Sequence, residues 1–581
     1  MKITKKNHKN RYINSTSTHS TQYDFLIAGA GIAGLYTAYR LKQKYPQSHI
    51  CILEASTYIG GRLHTISHDG MKFDGGGARF NTEQKRIMNL VKELKLSSKM
   101  VPITNDITYK PYKPTYNIYL ETRFPQIDDF INFMKEYVKK NKISDTILIN
   151  TTIIDFVKDV ILKDKEYKTS LKTLDIYLTD IYPYYSELKV LNAFEGLNLF
   201  TNEFSQNMQY YVLAGGLQQL SDTIYNKLKK MSNVDIFTNT PLETISFQNK
   251  TSSKNNFKPK NKYIITSGDK KFTTSNIILA ITQPKLLQLK YLTKNKNLLQ
   301  NIKSIQCEPL YRIYARYPPN PNTGKVWFAD MGKMSTNLPI KYIIPMDYEK
   351  GLIMITYTDS KYARYWMDKV ADTDTNPFET ELAKQLSYLF PDIEIPKPKW
   401  FKHCPWIVGA GYWKAGSNRQ EIMPRMIKPL SDDNIFICGE NYSSHQAWVE
   451  GSLETSNMVL EKINEIYKET KHNTKHNTKH INSSGGGQKL TKKNKQVQNK
   501  DGTDKEYTLE EVAKHNKKSD AWIAINGTIA NITKWIPNHP GGDIIMKGVG
   551  KDATKMFHAL HQHSPDALKL LKKYKIGILK K

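Results

Sequence analysis

The chain has 581 residues, 39% of them hydrophobic, with four cysteines and a formal net charge of +30. That length exceeds one ordinary core and predicts two or three domains. The charge would suit a nucleic acid or an anionic surface, but no helix-turn-helix, zinc-finger or RNA-binding signature accompanies it and no run approaches the roughly 18 apolar residues of a membrane span, so neither specific nucleic-acid binding nor a spanning segment is expected.

Residues 1–22 hold five basic and no acidic residues and little apolar surface, which predicts a disordered basic tail. The tail lacks the apolar core of a signal peptide. Cys51, Cys307, Cys404 and Cys438 lie far apart and form no CxxC pair, as expected of reduced thiols in an intracellular, cytoplasmic protein. From Tyr23 the pattern changes. Phe25 to Ala28 reads as a buried strand, Ile32 to Lys44 as a helix and His49 to Leu53 as the next parallel strand, which together make one βαβ unit. Between the first strand and the helix stands Gly29-Ala30-Gly31-Ile32-Ala33-Gly34. Gly29 permits the tight turn, Gly31 lets backbone N–H groups approach a pyrophosphate, and Gly34 lets the helix pack closely on the sheet. The helix start offers unpaired N–H groups and a positive dipole end to phosphate. Glu54 follows Gly34 by 20 residues at the end of the second strand. Its carboxylate would accept hydrogen bonds from an adenosine ribose and disfavour a 2′-phosphate, so FAD or NAD is expected over NADP.

Further along come Gly60-Gly61-Arg62, then Asp74-Gly75-Gly76-Gly77-Ala78-Arg79-Phe80, then Ala214-Gly215-Gly216 before an expected helix and Leu242 in an expected strand. Leu310-Tyr311-Arg312-Ile313-Tyr314 and Gly409-Ala410-Gly411-Tyr412-Trp413 lie in the second half, followed by Phe436-Ile437-Cys438-Gly439-Glu440-Asn441 and Ala447-Trp448-Val449-Glu450-Gly451-Ser452. Residues 468–506 are low in complexity, with ten basic against four acidic residues, and are expected to form a flexible linker spanning on the order of 35 Å. His472, His476 and His480 recur within it at four-residue intervals, a pattern better explained by repeat expansion than by a metal site. Beyond the linker, His539-Pro540-Gly541-Gly542 is answered by His563.

The segments from Tyr23 to Lys462 resemble the flavin-containing amine oxidases. Glu54 leading into Gly60-Gly61-Arg62 matches that family's ExxxxxGGR pattern, and the Gly439-Glu440 and Ala447 to Ser452 segments match its closing GE and WVEGA-type helix start. The resemblance implies noncovalent FAD, with Gly29, Gly31, Gly34, Glu54, Gly61, Arg62, Leu242 and Glu440 at the cofactor. Gly411 stands where some members attach FAD through cysteine. Tyr412 and Trp448 are implied as the two walls of an aromatic cage that steers a neutral amine and excludes water. The segment around Arg79 is similar to the GAMRF-type motif of L-amino-acid oxidases, in which the arginine binds the substrate carboxylate as a guanidinium fork does; a pairing of Arg79 with flavin or Asp74 is the alternative. Arg312 occupies the position where amine oxidases usually carry a lysine beside the flavin, and an always-charged guanidinium cannot accept a proton as a desolvated lysine does.

Residues 507–581 resemble cytochrome b5, opening with Tyr507 to Val512 and carrying Asp520-Ala521-Trp522, Gly550 to Thr554 and the two histidine motifs. The resemblance implies haem b with His539 and His563 as axial ligands, which favours electron transfer over oxygen binding. Gln562 replaces the usual glycine before the second ligand, and His558 and His561 are expected at the surface. With thirteen basic against six acidic residues, this segment is expected to dock on a negatively charged redox partner.

The expected fold class is α/β plus α+β: a Rossmann-like FAD-binding domain from about residues 23–80, 205–290 and 425–467, interleaved with a mixed-sheet substrate domain from about 81–204 and 291–424, and followed by a small cytochrome b5-like domain. The expected function is oxidation of a primary amine or L-amino acid to an imine, with electrons passed to O2 or to the tethered haem. Alternatives are a desaturase or dehydrogenase of a non-amine substrate on the same scaffold, and a non-enzymatic cofactor-binding structural protein.

Overall fold

A computed structural model of the protein describes residues 22–104, 106–112, 127–163, 189–202, 208–248, 262–371, 377–479, 504–536, 542–561 and 571–580. Residues 1–21 of the expected tail, most of the linker and both candidate haem ligands, His539 and His563, lie outside them, while Gln22 already pairs with Thr273 in a strand. Two compact units divide the chain at His472 and Asn473.

The first unit is built on a five-stranded parallel sheet in the order Val234–Phe237, Ile50–Leu53, Phe25–Ala28, Ile277–Leu279, Ile435–Ile437. Its strands come from segments separated by hundreds of residues, and four of them, Phe25–Ala28, Ile50–Leu53, Ile277–Leu279 and Ile435–Ile437, are buried throughout. Both faces of a parallel sheet are covered, which is why these strands read as continuous apolar runs without alternation. The helix Ile32–Lys44 and the long helix Val449–Lys479 contribute to the covering layer. The latter runs past Lys468, so its last turns overlap the stretch expected as linker.

A second sheet carries the long strands Ile305–Arg316, Leu352–Asp359 and Trp400–Trp413, followed by Tyr342–Asp347, Met334–Ser335 and Thr108–Tyr109. Its pairings are antiparallel except the last, giving a mixed sheet as expected from the sequence. Alternation is visible where one face meets a cavity: Trp406 and Val408 turn inward while Ile407 between them is 80% exposed. The helices Ile127–Lys140, Asp145–Asn150, Ile153–Lys163 and Ala193–Asn202 form a separate apolar cluster that also takes in Ala410 and Tyr412.

The second unit has a five-stranded sheet in the order Glu506–Tyr507, Lys575–Leu579, Thr528–Asn531, Asp520–Ile525, Asn516–Lys517. Its helix Leu509–Lys514 starts at a capping box, in which the Thr508 hydroxyl accepts from the Glu511 amide and the Glu511 carboxylate accepts from the Thr508 amide. Among the described residues no helix is long and apolar enough to cross a membrane.

Candidate functional site

A cavity of about 520 Å³ opens at the carboxyl ends of the parallel strands and extends to the second sheet, the position at which open α/β sheets take ligands. Gly29, Gly31, Glu54, Gly61, Arg62, Arg79, Leu242, Arg312, Tyr412, Glu440 and Trp448 all line it. Gly34 does not, and its role is internal. A Cβ there would sit 2.0 Å from the Gly29 carbonyl oxygen, and one at Gly29 would meet the Ala280 carbonyl oxygen at 2.4 Å.

Gly31 is different. A Cβ at this position meets nothing closer than 3.9 Å, and its φ of −72° is open to any residue. The protein alone does not require glycine here; close approach of a ligand to the helix start would. That helix has no acidic residue in its first turn, so nothing of its own competes for the positive dipole end. The arrangement fits the diphosphate of FAD. Gly31→Ala should therefore fold with unchanged thermal stability yet bind FAD about 100-fold more weakly, near 2.7 kcal/mol; equal affinity of parent and variant in a flavin titration would contradict the fit.

Glu54, buried at the strand end, accepts from the Ala30 amide at 2.7 Å and the Ser56 amide at 2.8 Å, one on each carboxylate oxygen. Each oxygen keeps a lone pair for a ribose hydroxyl. Leu242 also reaches the cavity but not from a strand: it lies between Val234–Phe237 and Thr244–Phe247. This connection follows the end of the Glu54 strand because the Thr240 amide donates to the Glu54 carbonyl and the Asn239 amide to the Ser56 carbonyl. The expected strand begins two residues later.

Glu440 is buried and receives the Arg62 guanidinium at 2.6 Å, the Asn441 side-chain amide and the Ala447 amide at 3.0 Å. Arg62 also donates to the Gly409 carbonyl at 3.0 Å. Two motifs 378 residues apart thus close on each other. A Cβ on Gly411 would lie 2.5 Å from the Asn441 side-chain nitrogen, so a cysteine there would displace Asn441, in keeping with noncovalent flavin. Glu450, in the same motif as Trp448, caps the helix Lys85–Glu93 by accepting from the Arg86 and Ile87 amides at 3.1 and 2.9 Å.

The segment Asp74 to Arg79 runs directly against the Arg62 backbone: the Gly77 amide donates to the Arg62 carbonyl at 2.8 Å, and a Cβ on Gly76 would overlap it at 1.9 Å. Arg312 grips this segment from the second sheet. Its guanidinium, fully buried, donates to the Asp74 carbonyl at 2.9 Å and to the Gly76 carbonyl, and stacks over Tyr357, its cross-strand partner, at 4.8 Å. Tyr314 adds a bond to the Asp74 carbonyl at 2.7 Å. At the far end of the segment the Arg79 guanidinium lies over the rings of Tyr210 at 5.1 Å and Trp448 at 5.8 Å. Trp448 and Tyr412 face one cavity, and the Trp448 ring lies 6.4 Å from that of Tyr210.

Asp74 itself is engaged elsewhere, accepting from the Thr65 hydroxyl at 2.6 Å and the Leu217 amide at 3.1 Å. Burial pushes its carboxyl up to about 6, against those bonds and the charge of Arg312, which pull it down. A carboxyl with a higher pKa folded than unfolded contributes stability fully below its ordinary 3.8, loses it as pH rises, and contributes none above about 6. Asp74→Asn should gain on the parent in urea unfolding as pH rises through that interval; a difference independent of pH would contradict this.

Sequence reasoning missed Trp406, Tyr342, Tyr357 and Thr358, which also line the cavity. A signal existed for Trp406, since positions 406, 408, 410 and 412 alternate onto one face of a strand and all four line the site. Tyr342 and Tyr357 carry no such local mark.

The flavin containing amine oxidoreductase family matches residues 32–459, and the cytochrome b5-like heme/steroid binding domain matches residues 508–580. An uncharacterized protein of Acanthamoeba polyphaga mimivirus is 21% identical over 510 residues, covering 76% of this chain and 94% of its own. Acyl-lipid (8-3)-desaturase B of Dictyostelium discoideum is 47% identical over 74 residues, 13% of this chain. The chain spans only 16% of that desaturase's length. Among solved structures, putrescine oxidase bound to putrescine superposes with a TM-score of 0.58 at 15% identity, covering 76% of this chain and 99% of its own, which shows a shared fold.

Proposed function

This chain belongs to the flavin containing amine oxidoreductase family and ends in a cytochrome b5-like domain, and from that premise we propose that it oxidises an L-amino acid, or a primary amine, to an imine and passes the electrons to O2 or to the tethered haem. Membership makes it a flavin-dependent oxidoreductase that binds FAD and haem, which sets aside a purely structural protein. The observation that carries the amino-acid reading is Arg79, whose guanidinium lies over Trp448 at the cavity wall. A substrate carboxylate bound by that fork fixes Cα beside the indole.

When bound, FAD would supply a two-electron acceptor for a hydride and haem b a one-electron site. The chain's own residues do the rest. Gly31 and the helix start would hold the diphosphate, Glu54 the ribose, and the Arg62–Glu440 pair the middle of the dinucleotide. Tyr412 and Trp448 present apolar ring faces that favour an uncharged amine, whose nitrogen lone pair forms the C=N bond as the Cα hydride leaves and an N–H proton is lost. Hydrolysis of the imine then gives a carbonyl compound and ammonia. Arg312 accepts no proton; engaged with two backbone carbonyls of the segment that bears Arg79, it acts as a positioning residue. The cation-lined wall of Arg79 and Arg312 also disfavours a dication such as putrescine.

His539 and His563 remain the proposed haem ligands. A tether between the units raises the effective concentration of one near the other, and the basic b5-like segment suits an acidic redox partner.

A second reading, dehydrogenation of a non-amine substrate, is favoured by Arg312 standing where the family usually has lysine. Ammonia release decides between them. Incubation with a panel of L-amino acids should release ammonia and the carbonyl product one for one; flavin turnover without ammonia would replace the first reading by the second.

A further inference from the structure

A further cation, Lys333, lies against Tyr342, whose ring lines the cavity with Arg79 and Arg312. Lys333 precedes the short strand Met334–Ser335, which pairs antiparallel with Tyr342–Asp347. Its side chain is half-buried, and its ammonium lies 5.5 Å from the ring centroid of Tyr342. Tyr342 stacks on Tyr357 at 5.7 Å, and Tyr357 in turn carries Arg312 at 4.8 Å. A ladder of cation, ring, ring, cation therefore runs along one side of the cavity, with Tyr342, Tyr357 and Arg312 all lining it.

The two end cations differ. Arg312 is hydrogen-bonded to two carbonyls, whereas among the described residues the Lys333 ammonium has no hydrogen bond and no ion pair. A lysine partly withdrawn from water, beside a second positive side chain and without a counter-ion among the described residues, is an unfavourable arrangement unless a ligand brings the missing negative charge. Burial, and then the charge of Arg79, push the Lys333 amine down to about 7. Among the described residues, the charged and titratable groups facing it are Arg79, from the strand Arg79–Asn81, and Tyr342. Neither is an acid.

We propose that Arg79 and Lys333 form a two-cation subsite that selects amino acids bearing a second carboxylate, Arg79 holding the α-carboxylate and Lys333 the distal one. This rests on the amino-acid reading of the preceding subsection and narrows its substrate class. Binding of the second carboxylate would also draw a proton onto Lys333 at neutral pH, because an adjacent anion favours the charged amine.

Two non-reactive acids of matched length, glutarate and valerate, test this on the purified full-length holoprotein by calorimetric titration and perturbation of the flavin spectrum. The parent should bind glutarate at least about tenfold more tightly than valerate, roughly 1.4 kcal/mol, and should take up a proton with glutarate but not with valerate when titrated in buffers of different ionisation enthalpy. Lys333→Met should abolish the preference and Lys333→Arg should keep it. An undiminished preference in Lys333→Met, or equal affinities and no proton uptake in the parent, overturns the two-cation subsite while leaving the amino-acid reading intact. Failure of the parent to bind either acid overturns that reading and the subsite with it. The proton-uptake measurement needs no variant, so misfolding of Lys333→Met does not shield the proposal.

Discussion

Replacing Arg79 by methionine is expected to lower kcat/KM for an L-amino acid by about a thousandfold, near 4 kcal/mol, the loss typical when one partner of a desolvated, hydrogen-bonded charge pair is removed. The guanidinium projects over Trp448 and Tyr210, so methionine keeps much of the apolar contact with both rings and mainly deletes the fork. Arg79→Lys should recover only part of the loss, because a point charge does not reproduce bidentate geometry. The control is a primary amine with no carboxylate, whose kcat/KM should hold steady or rise as a like charge leaves the wall. An equal loss for both substrates would assign Arg79 to the cofactor or the fold, the alternative that its sequence motif left open.

Arg62→Ala is expected to have the largest effect on the folded state. Glu440 is only 4% exposed, and its carboxylate depends on Arg62 at 2.6 Å for its positive partner. Removing one member of such a pair strands a charge and costs about 3 kcal/mol, the lower end of the usual range because the arginine side chain is itself 30% exposed. Arg62 also holds the Gly409 carbonyl, so the loss should loosen the strand carrying Tyr412. Denaturant unfolding should show the lower stability, and FAD should be lost on gel filtration. Arg62→Ala combined with Glu440→Gln should recover much of the stability, since no buried charge is then left unpaired, but not the FAD affinity. A single variant as stable as the parent would mean that Glu440 is satisfied by the Asn441 and Ala447 donors alone.

What could be seen from the sequence divides along physical lines. The glycine turn, the helix Ile32–Lys44 and Glu54 form one local unit in which turn, dipole and ribose acceptor lie within thirty residues, so spacing alone conveyed their relation. Glu440 and Trp448, which line the cavity, are legible only through a family resemblance that supplies context the residues themselves lack. Leu242 was found at the cavity but assigned to a strand, because apolar composition does not register that a connection pinned to the Glu54 carbonyl delays the strand to Thr244.

Arg312 shows the limit most clearly. Sequence marked it as a departure from a catalytic lysine, whereas its hydrogen bonds go to the carbonyls of Asp74 and Gly76, more than two hundred residues away. Only the pairing of distant strands reveals a brace. The same holds for Lys333, whose neighbours Tyr342 and Arg79 are brought to it by sheet register and by the packing of a separate sheet. Neither long-range register nor desolvation has a local signature.

Anaerobic rapid mixing of the purified full-length protein with an L-amino acid tests the central claim most directly. Bleaching of the flavin absorbance, followed by a shift of the haem Soret band at a rate independent of protein concentration, with ammonia released, is the predicted result. A flavin that stays oxidised with every carboxylate-bearing amine offered would contradict the account.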